Sequence, residues 1–234
     1  MSTILHNSSY EKSMNEYIDH TILKPDATRQ DIVKLCSEAM EYKFASVCVA
    51  PTWVLDCENI LKGDVTIATV IGFPHGNICM DNKDEQLFRT SHMGATEFDV
   101  VIDIGAVKSG LWKRVENEIH GLREDLESVK VNRNLIIKYI VEIGYLTDDE
   151  LFKISDMLIK HKIDFIKTCT GYGPRGVTVE DIVKIKKHVG DAIKIKASGG
   201  IKTADFAKQL IEAGANRIGC SSSVSIMNEI NNTR

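Results

Sequence analysis

Along this chain, short stretches of apolar, β-branched residues alternate with longer stretches of helical period. Residues 17–23, 46–50, 66–73, 97–104, 135–143, 165–168, 193–197 and 217–220 read as strands. Between them, apolar positions recur every three or four residues over 28–42, 83–93, 111–130, 147–160, 178–188 and 203–213, which predicts amphipathic helices. Several of these open on a capping residue: Thr147 is followed by Glu150, and Thr203 directly precedes its helix. About eight strands alternating with helices predict an α/β fold, a (β/α)8 or TIM barrel in a single domain over 14–234, preceded by a loose extension at 1–13. An open, doubly wound sheet is the competing architecture. The GxGxxG turn it would carry after its first strand is absent.

In a barrel, alternate strand residues face the helices and the interior. In the fourth strand Phe98, Val100, Ile102 and Ile104 share one face, leaving Asp99, Val101 and Asp103 on the other. The seventh strand sets Lys194 and Lys196 opposite Ile193 and Ile195, and the fifth groups Lys138, Ile140 and Glu142. The sixth pairs Phe165 with Lys167, and the first pairs Asp19 with Thr21. If the apolar faces meet the helices, these charges point inward, among them Asp19, Asp99, Glu142, Lys167 and Lys196. Buried charge is costly unless paired or solvated. An ion-pair network that only satisfies itself is one explanation and a catalytic constellation the other. The second is favoured because Lys167 and Lys196 fall near the C-terminal strand ends, where barrel active sites sit.

Glycine-rich segments follow the last strands: Ser198-Gly199-Gly200-Ile201-Lys202-Thr203 after the seventh and Gly219-Cys220-Ser221-Ser222-Ser223 after the eighth. Barrels often bind phosphate with these two loops, since glycine lets backbone N–H groups approach an anion and serine adds donors. Lys202 would add charge, and Thr170-Gly171-Tyr172-Gly173-Pro174 could close over the same anion. The two lysines, on consecutive strands about 5 Å apart, should project into one space. Like charge and partial burial should then depress the pKa of one of them, giving the neutral amine that carbonyl attack requires. Asp99 is placed to exchange protons, directly or through one water. No cofactor or metal is expected, and His20 and His75 read as local hydrogen-bonders.

Composition narrows the partners. A net charge of −4 disfavours nucleic acid or an anionic membrane, without excluding small anions. At 43% hydrophobic and 26% charged the chain has ample material for a core, and no apolar run approaches the roughly 18 residues of a membrane span. The first residues lack the basic and apolar regions of a signal peptide. The six cysteines form no CxxC pair, which suits reduced, packed thiols in the cytoplasm. Cys169 and Cys220 lie near the glycine loops, where either could touch a ligand.

These segments also resemble a known family. Asp99-Val-Val-Ile-Asp103-Ile-Gly-Ala, Asp164-Phe-Ile-Lys167-Thr-Cys-Thr170-Gly-Tyr-Gly-Pro174 and Lys194-Ile-Lys196-Ala-Ser-Gly199-Gly-Ile-Lys202-Thr203 are similar to motifs of the deoxyribose-phosphate aldolases, class I aldolases. So are Ile18-Asp19-His20-Thr21-Ile22-Leu23-Lys24-Pro25 and Ser46-Val-Cys48-Val-Ala-Pro51, and the likeness runs in order from about residue 17 to 228. The resemblance implies a metal-independent lyase acting on a phosphosugar and aldehydes. It implies Lys167 as the Schiff-base lysine, Lys196 as the lysine that perturbs it and Asp99 as the proton-relay carboxylate. It carries phosphate contacts to Gly171, Gly199, Gly200, Lys202, Gly219, Ser221 and Ser222. With Asp19, Thr21, Cys48 and Thr170, these make up the expected substrate-binding set. A small homo-oligomer, such as a homodimer, would suit the family. A related phosphosugar isomerase or aldolase, or an inactive phosphosugar-binding barrel, are the alternatives. Two departures stand out: Arg175, where a small residue is commoner, could alter loop closure or add a phosphate contact, and Ile143 replaces a common Thr after Glu142, leaving a supporting hydrogen bond in doubt.

Overall fold

A computed structural model describes residues 12–129, 131 and 133–232; residues 1–11, most of the expected extension, lie outside the described residues. The strands are β1 (Ile18–Ile22), β2 (Ser46–Val49), β3 (Thr66–Ile71), β4 (Glu97–Val101), β5 (Ile136–Ile140), β6 (Phe165–Lys167), β7 (Lys194–Ser198) and β8 (Arg217–Cys220). The helices are α1 (Arg29–Tyr42), α2 (Val54–Leu61), α3 (Met80–His92), α4 (Ile104–Lys108), α5 (Trp112–Ser128), α6 (Asp148–Lys160), α7 (Val179–Val189), α8 (Ala204–Glu212) and α9 (Ser223–Asn232). Each strand pairs in parallel with the next, and β8 returns to β1, so the sheet is a closed barrel.

Local chemistry sets the helix starts. Thr28, Thr147 and Thr178 each accept a hydrogen bond from the third residue of the following helix, whose carboxylate bonds back to the Thr N–H. Such caps contribute about 1 kcal/mol each. In α1 the buried residues Ile32, Leu35, Cys36 and Ala39 fall on one stripe. The main core lies between helices and the outer strand faces, where Val47, Phe98, Val100, Ile137, Ile166, Ile195 and Ile218 are buried. A small second cluster, Cys48, Ala68 and Val70 with Leu23 and Phe73 against it, lies on the alternate positions of β2 and β3.

The strands run shorter than the apolar pattern suggests. β4 stops at Val101, because the Asp103 carboxylate accepts from Ala106 N at 2.9 Å and so starts α4. Asp103 also pairs with Arg114 at 2.7 Å, so it does not point into the barrel as its strand parity suggested. β5 ends at Ile140, and Glu142 sits beyond it with a left-handed φ of +53°. The helices α2, α4 and α9 lay outside the predicted set. Fully buried Lys83 of α3 ties the layers together: its Nζ donates to Val101 O and to Glu118 of α5, each at 2.7 Å.

Asp84 of α3 and Asp125 of α5 face one another at the seam of these two helices. Burial, then the neighbouring Asp125 carboxylate, pushes the Asp84 carboxyl up to about 6. Well below pH 4 both folded and unfolded forms are protonated. As pH rises through 4 to 6 the unfolded chain ionises first and stability falls. Asp84→Asn removes that loss, so the variant should be more stable than the parent above pH 6, by on the order of 1 kcal/mol after solvent screening. Thermal melts from pH 4 to 8 test this, and a gap that widens towards acid would contradict it.

Candidate active site

Inward-facing residues of five strands assemble a closed ring of charge. Lys196 of β7 contacts both Asp19 of β1 and, at 2.7 Å, Asp99 Oδ2 of β4. Lys138 of β5 bridges Asp99 Oδ1 at 2.9 Å and Glu97 at 2.6 Å. Arg217 of β8 spans Glu97, at 3.1 Å, and Asp19, which closes the circuit. Ser46 of β2 adds a hydroxyl donated to Asp19 at 2.7 Å. The circuit holds three cations and three carboxylates, so it is neutral by itself. Lys167 of β6 is a further cation, its Nζ 2.8 Å from Asp99 Oδ2. Beneath the ring the Phe165 ring closes the barrel, with Lys194 and Arg217 stacked 5.5 and 5.8 Å from its centroid.

The fields inside this cluster decide its protonation. Burial raises the proton affinity of Asp99, but the ammonium groups of Lys138, Lys167 and Lys196 outweigh it and hold the carboxyl well below the usual range. Burial pulls Lys196 down, and the carboxylates of Asp19 and Asp99 more than reverse it, so its ammonium is held more firmly than usual. The expectation from like charge therefore fails at Lys196. Two carboxylates in contact with Lys196 decide its state. Lys138 shifts in the same direction, burial being overcome by Asp99 and Glu97.

Above the ring lies a cavity of about 360 Å³, walled by loops at the C-terminal strand ends. Lys167 is the one member of the charge cluster that lines it. Thr21, Thr170, Gly171, Gly199, Gly200, Lys202, Gly219 and Ser221, all of the expected substrate-binding set, lie in the wall. Asp19, Asp99 and Lys196 are fully buried and lie outside that wall, as does Cys48, with its Sγ 3.9 Å from Asp99 Oδ2. A Cβ at Gly219 would come within 3.0 Å of Lys196 Cε, so this glycine makes room for the lysine stem as well as shaping the loop.

Ser222 does not line the cavity; it precedes α9, and its carbonyl accepts from Ile226 N at 3.0 Å. Cys220 reaches the wall, with its thiol pushed up to about 11 by burial, whereas Cys169 stays buried outside it. The Arg175 guanidinium forks onto Asp181 of α7, one arm at 3.0 Å. Sequence reasoning passed over Glu97, Lys138 and Arg217, although strand parity already set Lys138 inward. Leu23 and Lys24, given no role there, also stand in the cavity wall, as does Tyr172 of the loop expected to close over the anion. The Tyr172 hydroxyl donates to Leu23 O at 3.0 Å, and its ring meets Phe73 edge-on at 5.4 Å.

Comparison with known proteins agrees with this architecture. The profile of the DeoC/LacD family aldolases matches residues 14–226. A deoxyribose-phosphate aldolase of Thermoanaerobacter sp. (strain X514) is 46% identical over 215 residues, covering 92% of this chain and 95% of that protein. The deoxyribose-phosphate aldolase of Bacillus mycoides (strain KBAB4) is 43% identical over 211 residues, covering 90% and 92%. Among solved structures, the aldolase QR15 superposes with a TM-score of 0.88 at 36% identity, over 94% of this chain and 96% of that one. The tetrameric deoxyribose phosphate aldolase of Aeropyrum pernix gives 0.86 at 27% identity, over 94% and 92%. No helix among the described residues is long and apolar enough to cross a membrane. With a family profile spanning most of its length and relatives above 40% identity, the chain belongs to the DeoC/LacD family of aldolases.

Proposed function

We propose that this aldolase reversibly cleaves 2-deoxy-D-ribose 5-phosphate to D-glyceraldehyde 3-phosphate and acetaldehyde through a Schiff base on Lys167, within deoxyribose phosphate catabolism. The observation that carries the reading is the position of Lys167: it is the surplus cation of the charged cluster and the member that opens on the cavity. An amine must be neutral to attack a carbonyl. The remaining six charges balance without Lys167, and the carboxylates of Asp19 and Asp99 hold the proton on Lys196. The relatives named deoxyribose-phosphate aldolase support the choice of substrate.

Nζ of Lys167 adds to C1 of the open-chain sugar, and the carbinolamine loses water to leave an iminium beside Asp99. This cation replaces the ammonium charge for charge, so the carboxylate stabilises it in place. The 3-hydroxyl gives up its proton as the C2–C3 bond breaks. The electron pair runs into the iminium, leaving an enamine and free glyceraldehyde 3-phosphate. Protonation of the enamine carbon and hydrolysis of the imine release acetaldehyde. Asp99, directly or through one water, passes these protons and carries each only transiently, since its neighbours hold it ionised. The loops bearing Gly171, Gly199, Gly200, Lys202 and Ser221 hold the phosphate, whose binding orients the reacting carbons.

The same reading places the protein in the cytoplasm, as its six unpaired thiols favour, and in a small homo-oligomer, as the tetramer from Aeropyrum pernix favours. Borohydride reduction in the presence of acetaldehyde should add an ethyl group to Lys167, found by peptide mass mapping. An active enzyme with an unmodified Lys167 peptide would reject the assignment. An isomerase on this barrel would give no trapped imine, and an inactive one no glyceraldehyde 3-phosphate.

A further inference from the structure

Glu142 is 1% exposed, yet it stands outside the charged ring and outside the cavity wall. Its backbone is left-handed, which costs a residue with a Cβ on the order of 1 kcal/mol or more. Among the described residues Lys43, Lys62 and Lys162 share this conformation, all exposed at or just past a helix end, whereas Glu142 is buried in the turn after β5. Its carboxylate has one partner among the described residues: Oε2 accepts from Thr170 N at 3.0 Å and from the Thr170 hydroxyl. That hydroxyl in turn accepts from Tyr172 N at 3.0 Å. Its proton is thus committed to Glu142, and Thr170 has no hydroxyl hydrogen left to give a substrate.

The neighbouring turn fits the same loop. A Cβ at Gly173 would lie 2.5 Å from the Glu142 carboxylate, so the chain there passes directly over it. A Cβ at Gly144 would strike Pro174 at 2.8 Å, so the loop rests on the turn after β5 at Glu142 and just beyond it. Thr170, Gly171 and Tyr172, the residues gripped or flanked by these contacts, all line the cavity.

We propose that Glu142 is a positioning residue for the phosphate end of the substrate, fixing through Thr170 the course of the chain from Gly171 to Gly173 along the cavity wall. This rests on the reading that the glycine loops hold the phosphate. It also answers the departure at Ile143, because the carboxylate of Glu142 supplies a bond to this loop from the preceding residue. A grip on the loop acts on substrates through their phosphate, not on the amine chemistry at Lys167.

The test compares deoxyribose 5-phosphate with unphosphorylated deoxyribose in the full-length enzyme. Glu142→Gly keeps a comfortable left-handed backbone and deletes the carboxylate; Glu142→Gln keeps one acceptor and the side-chain volume. In Glu142→Gly, KM for the phosphorylated sugar should rise about tenfold while kcat/KM for deoxyribose changes less than twofold, the loss being that of a charge-assisted bond. Glu142→Gln should recover part of the difference. Equal losses on both sugars, or no loss on either, would overturn the role of Glu142. Should Glu142→Gly not fold, Glu142→Gln decides by the same comparison, a selective KM rise upholding the role and its absence overturning it. A wild-type enzyme with no preference for the phosphorylated sugar would instead remove the phosphate reading beneath it.

Discussion

Lys167→Met is expected to give a folded barrel with aldolase activity lowered about ten-thousandfold or more, and with no borohydride-trapped adduct. The chemical loss follows from removing the one amine of the cluster that opens on the cavity. The expectation for stability is less ordinary. Removing a buried charge usually strands its partner at a cost of about 3–5 kcal/mol. Here the partner, Asp99, keeps Lys138 and Lys196, and the six charges that remain are balanced. The variant should therefore melt at or above the parent temperature. A large destabilisation would show that Lys167 is a structural member of the network. An active variant would show that another amine forms the imine.

Asp99→Asn should do the opposite. It preserves shape but leaves four buried cations facing two carboxylates, Asp19 and Glu97. A loss of about 3–5 kcal/mol in denaturant unfolding is expected, with a fall in kcat of about a hundredfold or more. The pH dependence carries the sign. Because the folded-state pKa of Asp99 is depressed, the stability it confers is present above the ordinary carboxylate range, near pH 4, and is lost as pH falls below it. The parent should lose stability towards acid more steeply than the variant. Combining Asp99→Asn with Lys196→Met lowers the excess charge and should recover part of the loss, a coupling the single variants cannot mimic. If Asp99→Asn unfolds at the parent midpoint, water screens the interior and the charge count does not govern it.

Much of this was legible in the sequence, because a barrel strand writes its two faces in alternate letters. Parity alone set Asp19, Asp99, Lys167 and Lys196 inward, and the order of the last two glycine loops located the cavity. What parity could not show was where a strand stops. Asp103 continues the alternation of β4, yet its short carboxylate captures Ala106 N and turns the chain into α4. Glu142 continues that of β5, yet a left-handed residue carries it toward Thr170 instead. Pairing was equally hidden. Two inward lysines on neighbouring strands suggest repulsion, and the distances to Asp19 and Asp99 are needed to see that attraction prevails at Lys196. The anchor of Tyr172 was hidden too, because it lies on Leu23, 149 positions away in the chain.

The ring of charge divides along the chain. Asp19, Glu97 and Asp99 all come from the first four strands, while Lys138, Lys167, Lys196 and Arg217 all come from the last four. Each half-barrel thus presents an inner face of a single sign, and neither can close on a second copy of itself without burying like charges. The fold is a heterodimer of halves written in one polypeptide. Cut between β4 and β5, the fragments should seek each other and not themselves, and added salt should weaken the early encounter that draws them together.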